Sequence, residues 1–339
     1  MPDPKLAPDQ VAIKTLQVGL CATDADINEA LLGEPPPGDE LLIIGHENLG
    51  VVEEIGRTAR GFRIGDLVVA SVRRPCGVCA NCARGDVDMC ASGKYEERGI
   101  VRRHGYLAEY YVEQPRWLTK IPKRIAGVAV LLEPTSVVEK AIDEAFLVQQ
   151  RLHWKPRTAL ILGAGPIGLL AAVILRLRGI ETHVVAREPA TDPRARIAQA
   201  ARAVYHSVAG RTLFDLRNEM PPIDLAIEAT GAASVVFDAM QLLGYNGVLV
   251  LLSVTAGATR RDEPIDAINQ RLVLRNNAIV GSVNANARHF TRGVKDLVAI
   301  EKKFPGLLGR LITPMPWQQY GRWFEHRETG IKTVLNLQT

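Results

Sequence analysis

Cysteine is the residue type that most clearly marks possible chemistry in this 339-residue chain. Four of the five cysteines follow the spacing C-x2-C-x2-C-x7-C: Cys76, Cys79, Cys82 and Cys90. Thiolates at such spacing can converge on one tetrahedral ion, with Zn–S distances of about 2.3 Å. Because four-cysteine sites leave no open position for a substrate, the cluster predicts a structural zinc in a lobe over about residues 74–92.

Two other uses of the clustered thiols have less support from the sequence. Disulfides form in oxidising compartments, and the opening "MPDPKLAPDQ" has no apolar core of the kind that a secretory signal requires. Iron–sulfur sites usually have a tighter final spacing, C-x3-C-P, which this sequence lacks. The sequence therefore predicts a cytoplasmic protein whose clustered cysteines bind zinc.

The fifth cysteine, Cys21, lies alone in "GLCATD" and needs another explanation. A catalytic zinc takes about three protein ligands and keeps one position open. Further candidate ligands are His46 and Glu47 in "IIGHENLG", and Glu133 in the apolar "LLEPTSVV". A carboxylate in so apolar a segment needs a partner if it is buried. Each residue alone has an ordinary structural explanation, but the set together predicts a second, catalytic metal site.

A glycine-rich loop follows a short apolar stretch at residues 158–162 and precedes an apolar helical pattern. Its G-x-G-x-x-G motif consists of these residues: Gly163, Gly165, Pro166, Ile167 and Gly168. In such loops the first glycine makes the turn, the second admits the pyrophosphate, and the third lets helix pack on strand. The helix N-terminus adds amide donors for phosphate. A second apparent strand, "ETHVVA", follows, so the context predicts dinucleotide binding.

The end of that second strand indicates which dinucleotide is bound. NAD sites usually carry an acidic residue there for the ribose 2′-hydroxyl, whereas this chain has Ala186 followed by Arg187. A guanidinium can pair with a 2′-phosphate, so the sequence favours NADP. NAD stays possible, because a shift of two residues in the strand end would place Glu188 in the acidic position.

Later apolar segments complete the pattern of a doubly wound α/β sheet. They are "IDLAIEATG" (223–231), "GVLVLLSV" (247–254) and "NAIVGSV" (277–283). Thr230 and Gly231 then lie at the carboxyl edge of the sheet, where a dinucleotide binds.

Charge and hydropathy exclude two classes of partner. The net charge is +4, and the short "RR" pairs do not form a basic stripe, so no nucleic acid binding is expected. The uncharged segment over residues 158–175 is long enough to suggest a membrane span, but glycines and a proline divide it into strand, turn and helix. We therefore expect no membrane association.

These motifs together resemble the zinc-dependent medium-chain dehydrogenase/reductase family from about residue 11 to the C-terminus. "GLCATD" is similar to the family's G-x-C-x-T-D, "GHE" to its zinc-binding histidine motif, and "GAGPIG" to its nucleotide loop. Phrases such as "GKYEERGI", "LLEPTSVVEKAI", "SVNANARHF" and "GIKTVLN" resemble the glucose (aldose) 1-dehydrogenase branch. The implied fold class is α/β, with a GroES-like β-rich catalytic domain over 1–140 and 286–339 and a doubly wound Rossmann domain over 141–285.

The resemblance also implies a role for each matching residue at the metal. Cys21 and His46 would be catalytic zinc ligands. Glu47 and Glu133 would be the carboxylates, one bound directly and the other through water or only in some states. Thr23 resembles the hydroxyl residue that passes the substrate proton toward solvent.

Substrate residues are implied less specifically. Glu97 and Asn284 match positions that bind sugar hydroxyls in the branch, and His289 is a further candidate; solvated loop residues are the alternative for all three. Glu133 is a candidate for the substrate as well as the metal. Val72 departs from the branch, because some relatives carry a polar sugar-binding residue just before "RRP".

The implied reaction is oxidation of an aldose, D-glucose or a close relative, at C1 to the lactone. It implies two zinc ions per chain, NADP or NAD, and a homo-oligomer, either dimer or tetramer. A polyol or secondary-alcohol dehydrogenase is the alternative within the same enzyme class. A non-catalytic NADP-binding protein is disfavoured, because the four candidate metal ligands are all present.

Overall fold

A computed structural model describes residues 5–255, 260, 262–326 and 330–338, and it divides the chain into two compact units. The first comprises Met1–Ser136, Asn284–Val298 and Leu308–Thr339. The second comprises Val137–Val283 and Ala299–Leu307. The second unit includes the segment Ala299–Leu307, which the domain bounds expected from the sequence, 141–285, do not contain.

The strands of the described chain are β1 (Val11–Gly19), β2 (Glu47–Ile55), β3 (Leu67–Ala70), β4 (Arg73–Arg74), β5 (Glu96–Arg98), β6 (Arg102–Arg103), β7 (Tyr110–Glu113), β8 (Leu118–Lys120), β9 (Thr158–Leu162), β10 (Glu181–Ala186), β11 (Val204–Ser207), β12 (Ile223–Glu228), β13 (Leu243–Leu251), β14 (Ala278–Gly281), β15 (Ile312–Pro316) and β16 (Lys332–Asn336). Its helices are α1 (Ala22–Asn28), α2 (Ala80–Ala83), α3 (Leu132–Val148), α4 (Pro166–Leu177), α5 (Pro193–Ala200), α6 (Ala233–Met240), α7 (Ile265–Leu274), α8 (Ala287–Lys303) and α9 (Tyr320–His326).

The first unit is built on a seven-stranded sheet in the order β15-β16-β1-β2-β3-β8, with β7 also paired to β1. Strand β1 is central because its near-alternating pattern buries Val11, Ile13 and Val18 in the core. It pairs with β2 along its length, with β7 at its start, and with β16 at its end, where Gln17 faces Asn336. These pairings bring the first and last strands of the chain together.

A buried ionic network stabilises this unit beside a smaller sheet formed by β4, β5 and β6. Glu113 is 1% exposed, and its Oε2 accepts hydrogen bonds from Arg74 Nη2 at 2.5 Å and Arg98 Nη2 at 2.9 Å. Arg74 also contacts the hydroxyl of Tyr106 at 3.4 Å. The two guanidinium groups outweigh the effect of burial and lower the pKa of Glu113 to about 2.

The second unit contains a six-stranded parallel sheet in the order β11-β10-β9-β12-β13-β14. The order reverses between β9 and β12, which is the switch point of a doubly wound sheet. Strand β9 is buried along its whole length, as expected for a strand covered on both faces. The predicted doubly wound sheet is thus confirmed.

The apolar segment over residues 158–175 forms β9, a glycine turn and most of α4, as its glycines and proline predict. No helix in the described ranges is both long and apolar enough to cross a membrane.

Candidate active site

Cys21 lies at the N-cap of α1, where Asp24 fixes its backbone. Asp24 is fully buried, and its carboxylate accepts hydrogen bonds from the amides of Cys21 at 2.9 Å and Gly45 at 3.1 Å. The second bond connects the start of α1 to the loop that carries His46. As a result, the Cys21 Sγ lies 3.2 Å from His46 Nε2.

Two carboxylates from distant elements approach the same histidine. His46 precedes β2, Glu47 begins β2, and Glu133 lies in the first turn of α3. One potential ligand atom of each lies within 4.8 Å of the other two, and all three residues are buried. His46 therefore belongs to two groups of potential ligands, one with Cys21 and one with Glu47 and Glu133.

The charges in this cluster fit a bound cation. Burial raises the pKa of the Glu133 carboxyl to about 7, and the neighbouring Glu47 adds to the rise. For His46, burial lowers the pKa, but Cys21 and Asp24 together outweigh it and raise the pKa well above its ordinary value. The His46 shift, and the part of the Glu133 shift that comes from Glu47, reflect neighbouring negative groups, which favour positive charge near these donors. The set of thiolate, imidazole and carboxylate is suited to zinc.

Glu47 forms an ion pair with a lysine that no sequence motif indicated. Lys332 on β16 is 2% exposed, and its Nζ donates to Glu47 Oε1 at 2.6 Å and to the Leu20 carbonyl at 3.1 Å. The Glu47 Oε2 atom is buried and has no hydrogen-bond partner within the described chain. An orphaned carboxylate oxygen beside His46 is a position that a metal ion would satisfy.

Thr23, the predicted proton-transfer residue, lies in the first turn of α1, two positions after Cys21. Its side chain is half-buried, and the hydroxyl forms no hydrogen bond to any part of the chain that the structure describes. Its position two residues after Cys21 suits the predicted role.

The four clustered cysteines converge around α2. Cys82 Sγ lies 3.3 Å from Cys79 Sγ and 3.9 Å from Cys76 Sγ, and all four sulfur atoms, Cys90 included, lie within 4.8 Å of one another. None is in a disulfide. Four thiols at these distances could hold one tetrahedral zinc ion.

Glu97 and Asn284, predicted only from resemblance to bind sugar, are in direct contact in the first unit. Asn284 Nδ2 donates to Glu97 Oε1 at 2.6 Å although the residues are 187 positions apart. His289 is different, because it is fully buried and its Nδ1 accepts from the Asn286 amide at 3.1 Å. This local bond gives His289 a structural task, and its proposed contact with substrate has less support.

The glycine loop has the shape expected of a pyrophosphate site. Gly163 has a φ of +103°, which favours glycine, and a Cβ at Gly168 would collide with the Gly163 carbonyl oxygen. A Cβ at Gly165 would meet nothing within 4 Å, so the space over this residue is open to a ligand. Pro166 and Ile167 follow as the first residues of α4, whose free amides face that loop.

Strand β10 ends at Ala186, as the sequence predicts. Arg187 follows directly and is exposed, whereas Glu188 lies beyond the strand and accepts a hydrogen bond from Tyr205 through its backbone carbonyl. The position after the strand therefore carries a basic residue.

A buried carboxylate at the end of β12 holds the loop that contains Thr230 and Gly231. Glu228 is fully buried, and its Oε1 accepts from Thr230 N–H at 2.6 Å and from the Thr230 hydroxyl at 2.5 Å. The Ser253 hydroxyl donates to Oε2. Glu228 thus joins the carboxyl ends of two neighbouring strands, a role that its place in "IEATG" did not indicate.

A β-rich unit with two metal-ligand clusters and a doubly wound unit with a glycine loop are the parts of a zinc-dependent alcohol dehydrogenase. The family described as "Alcohol dehydrogenase GroES-like domain" matches residues 7–123, and "Glucose dehydrogenase C-terminus" matches residues 126–337. The chain belongs to the glucose 1-dehydrogenase branch of the zinc-dependent medium-chain dehydrogenase/reductase family, whose members are NAD(P)-dependent oxidoreductases.

Individual relatives agree with this placement. A glucose 1-dehydrogenase of Methanocella arvoryzae is 46% identical over 91% of this chain and 87% of its own length. Glucose 1-dehydrogenase 1 of Caldivirga maquilingensis is 42% identical over 98% of this chain and 93% of its own length. The structure of Haloferax mediterranei glucose dehydrogenase in complex with NADP, Zn and gluconolactone aligns with a TM-score of 0.91 and 31% identity, covering 100% of this chain and 95% of that one. The predicted family and fold class are confirmed.

Proposed function

We propose that this protein oxidises an aldose, D-glucose or a close relative, at C1 to the lactone, with NADP as the preferred hydride acceptor and two zinc ions per chain. The relatives named glucose 1-dehydrogenase and the Haloferax complex support this assignment. The observation that supports it is the contact of Glu97 with Asn284, because a carboxylate and an amide side by side could both bind sugar hydroxyls.

Bound zinc would supply a Lewis acid that lowers the pKa of the C1 hydroxyl, and bound NADP would supply the hydride acceptor. Cys21, His46 and the two carboxylates would hold the catalytic zinc, while the four clustered cysteines would hold the structural one. The Thr23 hydroxyl, two residues from Cys21, would accept the proton of the substrate and pass it toward solvent. Glu97 and Asn284 would orient the sugar ring.

The proposal is tested by a panel of aldoses, polyols and simple alcohols, each with NADP and with NAD. We expect kcat/KM for D-glucose or a close epimer to exceed that for ethanol or cyclohexanol. A site built to bind hydroxyls rejects analogues that lack them, because its polar groups are then left unpaired. A clear preference for a polyol or a simple alcohol would support the alternative dehydrogenase, and no turnover with any substrate would refute the enzymatic proposal.

Glu97→Ala should lower kcat/KM for glucose by roughly 10- to 100-fold, because it removes a hydrogen bond to a charged group. The value for a simple alcohol should change far less. Glu96→Ala is the matched control, since this neighbouring carboxylate has a 44% exposed side chain and pairs with Arg103 instead. Initial rates on both substrates give the comparison. An equal loss on sugar and alcohol would contradict the sugar assignment.

Arg187→Ala should weaken NADP more than NAD, by roughly 1.5–3 kcal/mol, because a charged hydrogen bond to the 2′-phosphate is lost. Lys302→Ala removes a positive charge from an exposed helical position of the same unit and controls for net charge. Dissociation constants for both cofactors, measured by fluorescence titration, provide the test. If both cofactors lost affinity equally, Arg187 would not be the residue that distinguishes them.

We also propose that the chain forms a homo-oligomer, either a dimer or a tetramer, through the outer edge of its parallel sheet. Within the described chain β14 pairs only with β13. Nearby apolar side chains are exposed, including Val273 at 65%, Leu274 at 67% and Ile279 at 36%. An unpaired edge with apolar neighbours favours pairing with a second copy. Analytical ultracentrifugation would distinguish such assemblies from the 37.0 kDa single chain.

For the compartment we propose the cytoplasm, where the five free thiols would stay reduced and available to zinc.

A further inference from the structure

We propose that Arg73 is a positioning residue for the substrate, because it fixes one oxygen of Glu97 and leaves the other for a sugar hydroxyl. This inference rests on the proposed sugar oxidation. It assigns a task to a residue that neither the metal clusters nor the cofactor site uses, and it connects the substrate residues to the four-cysteine lobe.

The hydrogen bonds to Glu97 are distributed unequally between its two oxygens. Arg73 faces Glu97 across the β4–β5 pair and donates to Oε1 from Nε at 3.0 Å and from Nη2 at 2.9 Å. Asn284 Nδ2 donates to the same oxygen at 2.6 Å. Oε2 receives no hydrogen bond from the residues that the structure describes, and Glu97 is 9% exposed. An oriented carboxyl group with one oxygen free to accept a hydrogen bond is suited to a ligand hydroxyl.

Arg73 can hold this geometry because its own guanidinium is fixed on several sides. The residue is 7% exposed, and its guanidinium carbon lies 4.0 Å from the centre of the Tyr95 ring. Its third nitrogen, Nη1, donates to the Asp88 backbone carbonyl at 2.6 Å. The planar guanidinium donates to the carboxylate and the carbonyl in fixed directions, so lysine would keep the charge and lose this geometry.

The same lobe also holds the segment that carries Asn284. Asp88 lies two positions before Cys90 and is 2% exposed, and its Oδ1 accepts from Asn286 Nδ2 at 2.9 Å. Asn284 itself has a φ of +64°, in the left-handed region that costs energy for residues other than glycine. Such a conformation persists where neighbouring contacts enforce it, and the bond from Asn286 to Asp88 is one of them.

The first test is Arg73→Lys in the full-length, zinc-loaded enzyme. We expect KM for D-glucose to rise roughly 10- to 100-fold, because the fixed charged hydrogen bonds to Glu97 are lost. Three quantities should stay near the wild-type values: KM for NADP, kcat/KM for a simple alcohol, and the zinc content of two ions per chain. Arg103→Lys is the control, since Arg103 pairs with the neighbouring Glu96 in a more exposed position. Equal changes for sugar and simple alcohol would overturn the inference.

A double-mutant cycle separates positioning from general stability. If Arg73 acts through Glu97, the variant carrying both Arg73→Lys and Glu97→Ala should match Glu97→Ala alone in KM for glucose. Additive effects would show that Arg73 acts independently of Glu97 and would refute the inference.

A second variant keeps the test available if Arg73→Lys does not fold. Tyr95→Leu keeps Arg73 and Glu97 but removes the ring that lies 4.0 Å from the Arg73 guanidinium carbon and helps to fix it. It should raise KM for glucose while leaving KM for NADP unchanged, and an unchanged KM for glucose would contradict the inference. A wild type that does not oxidise glucose would instead refute the proposed function, so the two failures are distinguishable.

Discussion

Cys21→Ser should bind one zinc ion per chain instead of two and should lose at least about 10³-fold in kcat, while its unfolding transition stays close to that of the wild type. Serine is a poor zinc ligand, and it would replace the predicted thiolate ligand at the N-cap of α1, whose Sγ lies 3.2 Å from His46 Nε2. The N-cap backbone would still be fixed by Asp24. Elemental analysis for zinc, initial rates and denaturant unfolding of the same preparation provide the measurements.

Cys79→Ser is the matched variant at the other cluster. It should also lose one zinc ion, but its main effect should be on stability, because a lobe folded around four thiols depends on the ion for its structure. The contrast between the two variants assigns each site its role. If Cys21→Ser kept both zinc ions and full activity, Cys21 would not be a ligand of a catalytic metal.

Glu113→Gln should lower the free energy of unfolding by about 3–5 kcal/mol at neutral pH, because it leaves two buried guanidinium groups without their shared carboxylate. Lys120→Met breaks the pair of Lys120 with Asp66, in which the lysine is 49% exposed, and should cost at most about 1 kcal/mol. Denaturant unfolding of both variants tests the difference. A loss for Glu113→Gln as small as that for Lys120→Met would show that the network contributes little.

The same carboxylate gives the wild type a defined acid sensitivity. The pKa of Glu113 is about 2 in the folded protein, below the value of about 4.3 expected in the unfolded chain. Its contribution is therefore complete above the unfolded pKa and is lost as pH falls through the folded pKa. Stability measured between about pH 4.5 and pH 2 should fall more steeply for the wild type than for Glu113→Gln.

Most of what could be predicted from the sequence came from patterns of residues that are close together in the chain. The four clustered cysteines lie within fifteen positions, and the strand, loop and helix around Gly163 are continuous in sequence, so their spacing alone predicts both sites. The end of β10 at Ala186 was also correct, because an apolar strand ends where charged residues begin. Each of these features needs no information about distant segments.

Contacts between distant segments could not be predicted in the same way. In "GIKTVLN" nothing distinguishes Lys332 from an ordinary strand residue. Only the pairing of β16 with β1 brings it close to Glu47. Arg73 and Glu97 are likewise paired by the register of two very short strands. Asp24 combines both kinds of contact: its bond to the Cys21 amide is a local capping pattern contained in "CATD", whereas its bond to the Gly45 amide is not.

The bond between Lys332 and Glu47 also has a consequence for the order of events during synthesis. The two residues are 285 positions apart, so at 5–20 residues per second the ribosome needs roughly 15–60 s to make the lysine after the glutamate. During that interval β1 lacks its partner β16, and Glu47 lacks the cation that pairs with it. A contact between residues so far apart in sequence forms late and slowly. The cluster of His46, Glu47 and Glu133 can therefore reach its final form only after β16 has joined the sheet.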